Sequence, residues 1–218
     1  MVVTMANEAT VSIQAEKRPG RINDIIIAGV GGQGVILVSA ILARTFLLAG
    51  FEVKQAEIHG MSQRGGSVES FVRRGERVYS PLVRRGRVDA LLSLEASETL
   101  RWLDYLRPGG LVVSSQETII PVTVTQGISR YPQAIAEEVR RRTDRFHFVD
   151  ALELARRAGH PRTANVALLG VFARHFELER TLWEEVVAQS VPLKVKEVNL
   201  RAFALGWRLG EEVAVAQA

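Results

Sequence analysis

The stretch "IIIAGVGGQGVILVSAILARTF", Ile25 to Phe46, sets the frame for the rest of the chain. The segment "DIIIAGV" (24–30) is apolar without alternation and rich in β-branched residues. That is the pattern of a strand buried on both faces. Over 34–49 the positions Val35, Val38, Ile41, Leu42, Thr45 and Leu48 recur at the spacing of one helix face, and Gly50 ends the run. "FEVKQAEI" (51–58) follows as the next strand. Strand, glycine turn, helix and strand make the unit of a doubly wound α/β fold.

Gly29, Gly31 and Gly34 fit the pattern G-x-G-x-x-G. Such a turn aims backbone N–H groups and a helix N-terminus at an anion. Glu57 lies 23 residues after Gly34, close to where an acidic residue would hold a ribose hydroxyl. Gly32 and Gln33 fill the variable positions, and Gln33 brings a large polar side chain to a loop that normally offers backbone. No tyrosine–lysine or histidine–aspartate pair suited to hydride chemistry accompanies it. Three readings stay open on these residues: a nicotinamide-dinucleotide site, another anion or cofactor-phosphate site, and a tight turn that only packs helix on strand.

Outward from this unit, "HGMSQRGGS" (59–67) is a second polar, glycine-rich loop. Gly65 and Gly66 permit close backbone approach, Arg64 offers a rigid fork of donors, and Ser62, Gln63 and Ser67 add neutral partners. His59 is a candidate general base whose nearest carboxylate in sequence is Glu57. "VESFVRRGERVYS" (68–80) reads as a hairpin turning near Gly75. "VDALLSL" (88–94) is a buried strand, a helix runs from about 97 to 106, "RPGG" (107–110) stops it, and "LVVSS" (111–115) is a strand. Glu95 stands at the sheet's ligand-facing end, where capping the next helix is its simplest role. "IIPVTV" (119–124) reads as an edge strand because of Pro121. Residues 132–144 read as an exposed arginine-rich helix, 146–150 as the last strand, and 151–158, 164–176, 181–189 and 194–212 as helices. The fold class is therefore α/β: a three-layer, mostly parallel doubly wound sheet with an antiparallel hairpin and a helical C-terminal third.

The whole chain has 218 residues, 47% hydrophobic and 24% charged, which suits one α/β domain with a sizeable core. Residues 1–20 read as a flexible N-terminal tail and 21–218 as a single domain. With no membrane-length apolar run, the expected location is cytoplasmic and off the membrane. Cysteine is absent, so the chain itself ligates no iron–sulfur cluster and carries no thiolate. Four scattered histidines at no ligand spacing suggest no metal site. The net charge of +4 comes from arginine, since lysine occurs only at Lys17, Lys54, Lys194 and Lys196. Without a basic–aromatic interleaved stretch, nucleic acid is not the expected partner.

"IIIAGVGGQGV", "AEIHGMSQRGGSV" and "VYSPLVRRGRVDALLSLEASETLR" with "LRPGG", in that order, resemble one family. They are similar to gamma-type subunits of 2-oxoacid:ferredoxin oxidoreductases, the small subunit of the indolepyruvate type in particular. The resemblance covers roughly 22–206. It implies a non-catalytic subunit of an enzyme that oxidatively decarboxylates a 2-oxoacid, indolepyruvate or another aryl pyruvate, to an acyl-CoA. Thiamine diphosphate and iron–sulfur clusters would sit on a larger catalytic partner, with ferredoxin meeting the holoenzyme. It implies coenzyme A or subunit contacts at Gly29, Gly31, Gly32, Gln33 and Gly34, and at Ser62, Gln63, Arg64, Gly65 and Gly66. The isolated chain is then expected to be inactive and able to form a homodimer through surface meant for its partner. The alternative is a free-standing NAD(P)-binding oxidoreductase of Rossmann type.

Overall fold

The computed structural model describes residues 3–4, 23–59 and 66–215. In chain order the strands are β1 (Val3–Thr4), β2 (Asp24–Val30), β3 (Glu52–His59), β4 (Ser67–Gly75), β5 (Val88–Ser93), β6 (Leu106–Ser115) and β7 (Phe146–Val149). The helices are α1 (Val35–Leu48), α2 (Ala96–Trp102), α3 (Val122–Thr125), α4 (Ile135–Arg140), α5 (Ala151–Ala158), α6 (Ala164–Ala173), α7 (Arg180–Ser190) and α8 (Lys196–Val215).

The strands form one sheet in the order β1-β3-β4-β2-β5-β6-β7. β2 is buried on both faces, as its unbroken apolar run demands. Ile25 and Ile27 point into a core shared with α1, α5, α6, α7 and α8, while Ile26 and Ala28 point into a smaller core with α2 and α4. The expected α/β, three-layer arrangement and helical C-terminal third are therefore present. The antiparallel part is larger than one hairpin: β2–β5, β5–β6 and β6–β7 pair parallel, whereas β2–β4, β3–β4 and β1–β3 pair antiparallel.

The expected strand–helix–strand unit holds in direction, since β2 and β3 both run antiparallel to β4. They are not neighbours, because β4 lies between them. The 68–80 hairpin is replaced by one strand, Ser67–Gly75, whose turn partner is β3 rather than residues beyond Gly75. "RPGG" lies inside β6 and does not precede it: Gly109 takes φ +67, and the β5–β6 register shifts there to absorb extra residues. Residues 119–124 form no strand. Pro121 precedes the short helix α3, its carbonyl accepting from Val124 and Thr125, while the Ile119 N–H is taken by Glu95. The exposed helix shrinks to Ile135–Arg140.

Sheet and large helical layer are tied together by Arg74 on β4, which is only 5% exposed. Its guanidinium lies 4.3, 4.7 and 4.9 Å from the ring centres of Phe46, Phe51 and Phe176. A cation enclosed by aromatic faces is stabilised by their quadrupoles.

Candidate functional site

At the C-terminal end of β2 the glycine loop is held by the side chain first expected to face a ligand. Gln33 folds back: its Oε1 accepts from the Val30 N–H at 2.8 Å, and its own N–H closes the turn onto the Val30 carbonyl at 3.0 Å. Its Nε2 donates to the Leu94 carbonyl at 2.9 Å and to the Glu117 carboxylate at 3.2 Å. One amide thus joins the ends of β2 and β5 to the segment after β6. Gly29 makes room for it, since a Cβ there would lie 3.0 Å from Gln33 Oε1 and 2.9 Å from Val35 Cγ2. Gly32 and Gly34 need φ values of +104 and +86, in the left-handed region that favours glycine. At Gly34 a side chain would also run into Asn165 at the start of α6.

The helix that follows begins without a side-chain cap and with no acidic residue in its first turn. Its first N–H groups therefore stand at this edge unclaimed by any side-chain cap, with the positive end of the helix dipole behind them. A cleft of about 430 Å³ opens on one side of the loop, lined by Gly34, Glu117, Ala151, Arg162 and Asn165. Here the N-terminal ends of α1, α5 and α6 converge. A second, more apolar cleft of about 470 Å³ opens on the other side, between Gly31, Val35, Ile36 and Val68.

Ser62, Gln63, Arg64 and Gly65 lie outside the described residues, as does the side chain of His59. Gly66 does not: its carbonyl accepts from the Gly31 N–H at 2.8 Å. The segment leading out of the second loop is therefore fastened to the first. Glu57 is not in position for a ribose. With β4 between β3 and β2, it is separated from the glycine loop by two strand spacings, roughly 10 Å. Its Oε1 accepts instead from Gln55 at 3.0 Å.

The acids of this edge are spent on structure. Glu95, fully buried, caps α2 through the Glu98 N–H at 2.9 Å, as its place in the sequence suggested. It also accepts from Ser97 at 2.7 Å, Tyr131 at 2.6 Å and the Ile119 N–H at 3.2 Å. Four donors fill the acceptor capacity of one carboxylate. Burial, and then this carboxylate, push the Tyr131 hydroxyl above its ordinary value. Glu98 takes Ser67 and Arg101. Among the histidines, His147 and His175 stack at 4.8 Å. Burial pushes both below the ordinary imidazole range, His175 to about 3. Glu117, Tyr131, Arg162 and Asn165 went unnoticed in the sequence, and nothing local marks them. The edge as built offers backbone donors and an exposed guanidinium, which suits holding and orienting an anion, without a poised nucleophile–base pair among the described residues.

A family model described as pyruvate ferredoxin/flavodoxin oxidoreductase matches residues 24–209. The chain is 41% identical over 197 residues to indolepyruvate oxidoreductase subunit IorB of Thermococcus kodakarensis, covering 87% of this chain and 96% of that protein. Against 2-oxoglutarate synthase subunit KorC of Methanocaldococcus jannaschii it is 27% identical, covering 87% of this chain and 95% of that one. Among solved structures, a keto/oxoacid ferredoxin oxidoreductase gamma subunit from Geobacter sulfurreducens superposes with a TM-score of 0.65 at 22% identity, covering 87% of this chain and 99% of that chain. A 2-oxoglutarate:ferredoxin oxidoreductase from Magnetococcus marinus, with 2-oxoglutarate, coenzyme A and succinyl-CoA bound, gives 0.68 at 20% identity, covering 88% of this chain and 32% of that chain.

Proposed function

The chain belongs to the pyruvate ferredoxin/flavodoxin oxidoreductase family, and from that premise we propose that it is the small, non-catalytic subunit of an indolepyruvate:ferredoxin oxidoreductase. In this reading it supports assembly and the binding of coenzyme A for oxidative decarboxylation of an aryl pyruvate to an acyl-CoA. The observation that carries it is the bond from Gly31 to the Gly66 carbonyl, which brings the two glycine-rich loops to one edge beside the uncapped start of α1. Identity of 41% to an indolepyruvate oxidoreductase subunit over nearly its whole length supports the substrate class.

Coenzyme A fits this edge chemically. Its pyrophosphate suits the N–H groups around Gly32, Gly34 and the first turn of α1, with Arg162 lining the same cleft and Arg64 on the second glycine-rich loop as candidate guanidiniums. Gln33 acts beneath them as the brace that fixes the loop. When bound, the coenzyme supplies the thiol that takes up the acyl group; this chain positions its anionic tail. Iron–sulfur clusters are assigned to the larger subunit, since a chain without cysteine supplies no thiolate for a cluster, and thiamine diphosphate is assigned there with them on the family resemblance. The nicotinamide reading loses its acidic residue, because Glu57 stands two strands from the loop.

Native mass spectrometry of the purified complex tests the assignment. A stoichiometric partner carrying thiamine diphosphate is expected, and a chain that purifies alone overturns the reading. In the assembled enzyme, Arg64→Ala should raise the coenzyme A KM and leave the 2-oxoacid KM near normal. Loss of subunit association instead would make that loop an interface.

A further inference from the structure

At the opposite end of the sheet, where β2 and β5 begin and β4 ends, lies a cleft of about 820 Å³. Five arginines line it: Arg73, Arg74, Arg77, Arg84 and Arg87. Arg73 is engaged, through Asp24 at 2.8 Å and the Ser80 and Leu82 carbonyls at 3.0 Å. The acids nearby are also engaged: Asp89 accepts from Arg107 at 2.7 Å and from the Asn23 and Asp24 N–H groups, and Glu52 accepts from the Val78 N–H. Arg77, Arg84 and Arg87 are exposed, and none has a carboxylate within ion-pair distance among the described residues. Glu76 is the one lining acid left unengaged among them.

The arm that carries these arginines, residues 76–87, has neither helix nor strand, yet it is pinned along its length. Besides the bonds from Arg73 and the Val78 N–H donated to Glu52, the Gly86 N–H reaches the Asp104 carbonyl at 3.1 Å and the Arg87 N–H reaches the Arg84 carbonyl at 3.1 Å. It presents Tyr79 at 85% exposure and Leu82 at 57%. A fixed loop showing tyrosine and unpaired arginines has the composition of a binding hot spot rather than of a solvated turn, and Leu82 adds exposed apolar area beside them.

We propose that this arm and its cleft dock a carboxylate-rich face of the larger subunit, an inference that rests on the subunit reading above. Charge selects the occupant. A second copy of this chain docked patch to patch about a two-fold axis would set the same guanidiniums against one another. A small polyanion would leave Tyr79 and Leu82 unused. An acidic protein surface uses both the free cations and the exposed apolar groups.

The test is association of the full chain with the larger subunit, measured by interferometry at low and at physiological salt. The charge-reversal variant Arg77→Glu/Arg84→Glu/Arg87→Glu should bind at least about tenfold more weakly, with a flattened salt dependence. All three side chains are exposed, so its melting curve should match wild type, and Tyr79→Ala should weaken binding without any change of charge. If both variants associate like wild type, this surface is not the docking site, while the subunit reading stands. If inorganic pyrophosphate binds the wild type, the reversal abolishes that binding, and association is unchanged, the cleft is a small-anion site and the proposal falls. If the wild type itself fails to associate, the subunit reading falls first and takes this one with it.

Discussion

At the carboxyl ends of β2 and β5 the polar side chains turn inward: Gln33 spans three segments and Glu95 accepts four hydrogen bonds, leaving the backbone to face the clefts. At the amino ends of the same strands the side chains turn outward: Arg77, Arg84 and Arg87 stand exposed around a cleft, on a loop held by its main chain. One edge is specified by conformations that only certain residues adopt, the other by charge on a surface. Substitutions should therefore damage folding at the first and association at the second.

The largest effect is expected from Gln33→Glu. The new carboxylate cannot donate to the Leu94 carbonyl, and it meets Glu117, now 3.2 Å from the amide nitrogen. About 3 kcal/mol of stability should be lost, the cost of part-buried groups left unsatisfied together with the new like-charge contact. For a domain of this size that is roughly 6 to 12 °C in Tm. Gln33→Ala should lose less, and Glu117→Gln should partly restore the Gln33→Glu protein by returning a donor. If Gln33→Glu melts like wild type, the brace is not what holds the edge together.

Gly34→Ala should come next, at about 2 kcal/mol for a non-glycine residue forced into the left-handed region. The observed φ is +86, with Asn165 packed against the position. Adding Asn165→Ala should relieve the crowding and leave the backbone strain, so recovery in chemical denaturation should be partial. Full recovery would mean that contact, not conformation, requires the glycine. Gly32→Ala separates the two causes, because φ is +104 there with open space around it.

These expectations mark where the sequence could and could not be read. The strand, turn and first helix were legible because their apolar spacing is local, and Glu95 was legible as a cap because capping acts over one turn. The inward turn of Gln33 was not, since its partners lie 61 and 84 residues further along the chain. The insertion of β4 between β2 and β3 was hidden for the same reason: pattern defines a strand but not its neighbour. "IIPVTV" has strand composition, but its Pro121 removes a ladder donor and, among the described residues, the segment pairs with no strand of the sheet. The excess arginine is visible in the sequence as a count without a location; β4 and the arm after it place Arg73, Arg77, Arg84 and Arg87 around one cleft.

Acid should act on the interior and on neither edge. His147 and His175 are buried beside each other, with Arg145 and Arg174 disfavouring the charged forms. Their folded values lie below the ordinary imidazole value, so the unfolded chain binds protons that the folded chain refuses. Stability is then full above about pH 6.5 and declines as pH falls toward the folded values, by roughly 2 kcal/mol between pH 7 and 5 from His175 alone, with His147 adding to the fall. Denaturant titrations across that window measure the slope, and His175→Gln should flatten it. Arginine stays charged throughout, so subunit association should not follow the same curve. A shared pH profile would show that docking depends on the interior pair and would undo the separation between folding and binding.

The smallest effect carries the comparison furthest. Arg84→Ala removes an exposed side chain that has no ion-pair partner among the described residues. The isolated chain should keep its stability to within about 0.5 kcal/mol, as surface substitutions usually do. Equal melting curves beside weaker association would place the whole cost of the change at the interface, in contrast to Gln33→Glu, whose cost falls on the fold. A clear loss of stability from Arg84→Ala would mean that the arm needs its guanidiniums to stay pinned. In that case both ends of the sheet would obey the same rule, and the amino-end cleft would be a structural feature rather than a surface kept free for a partner.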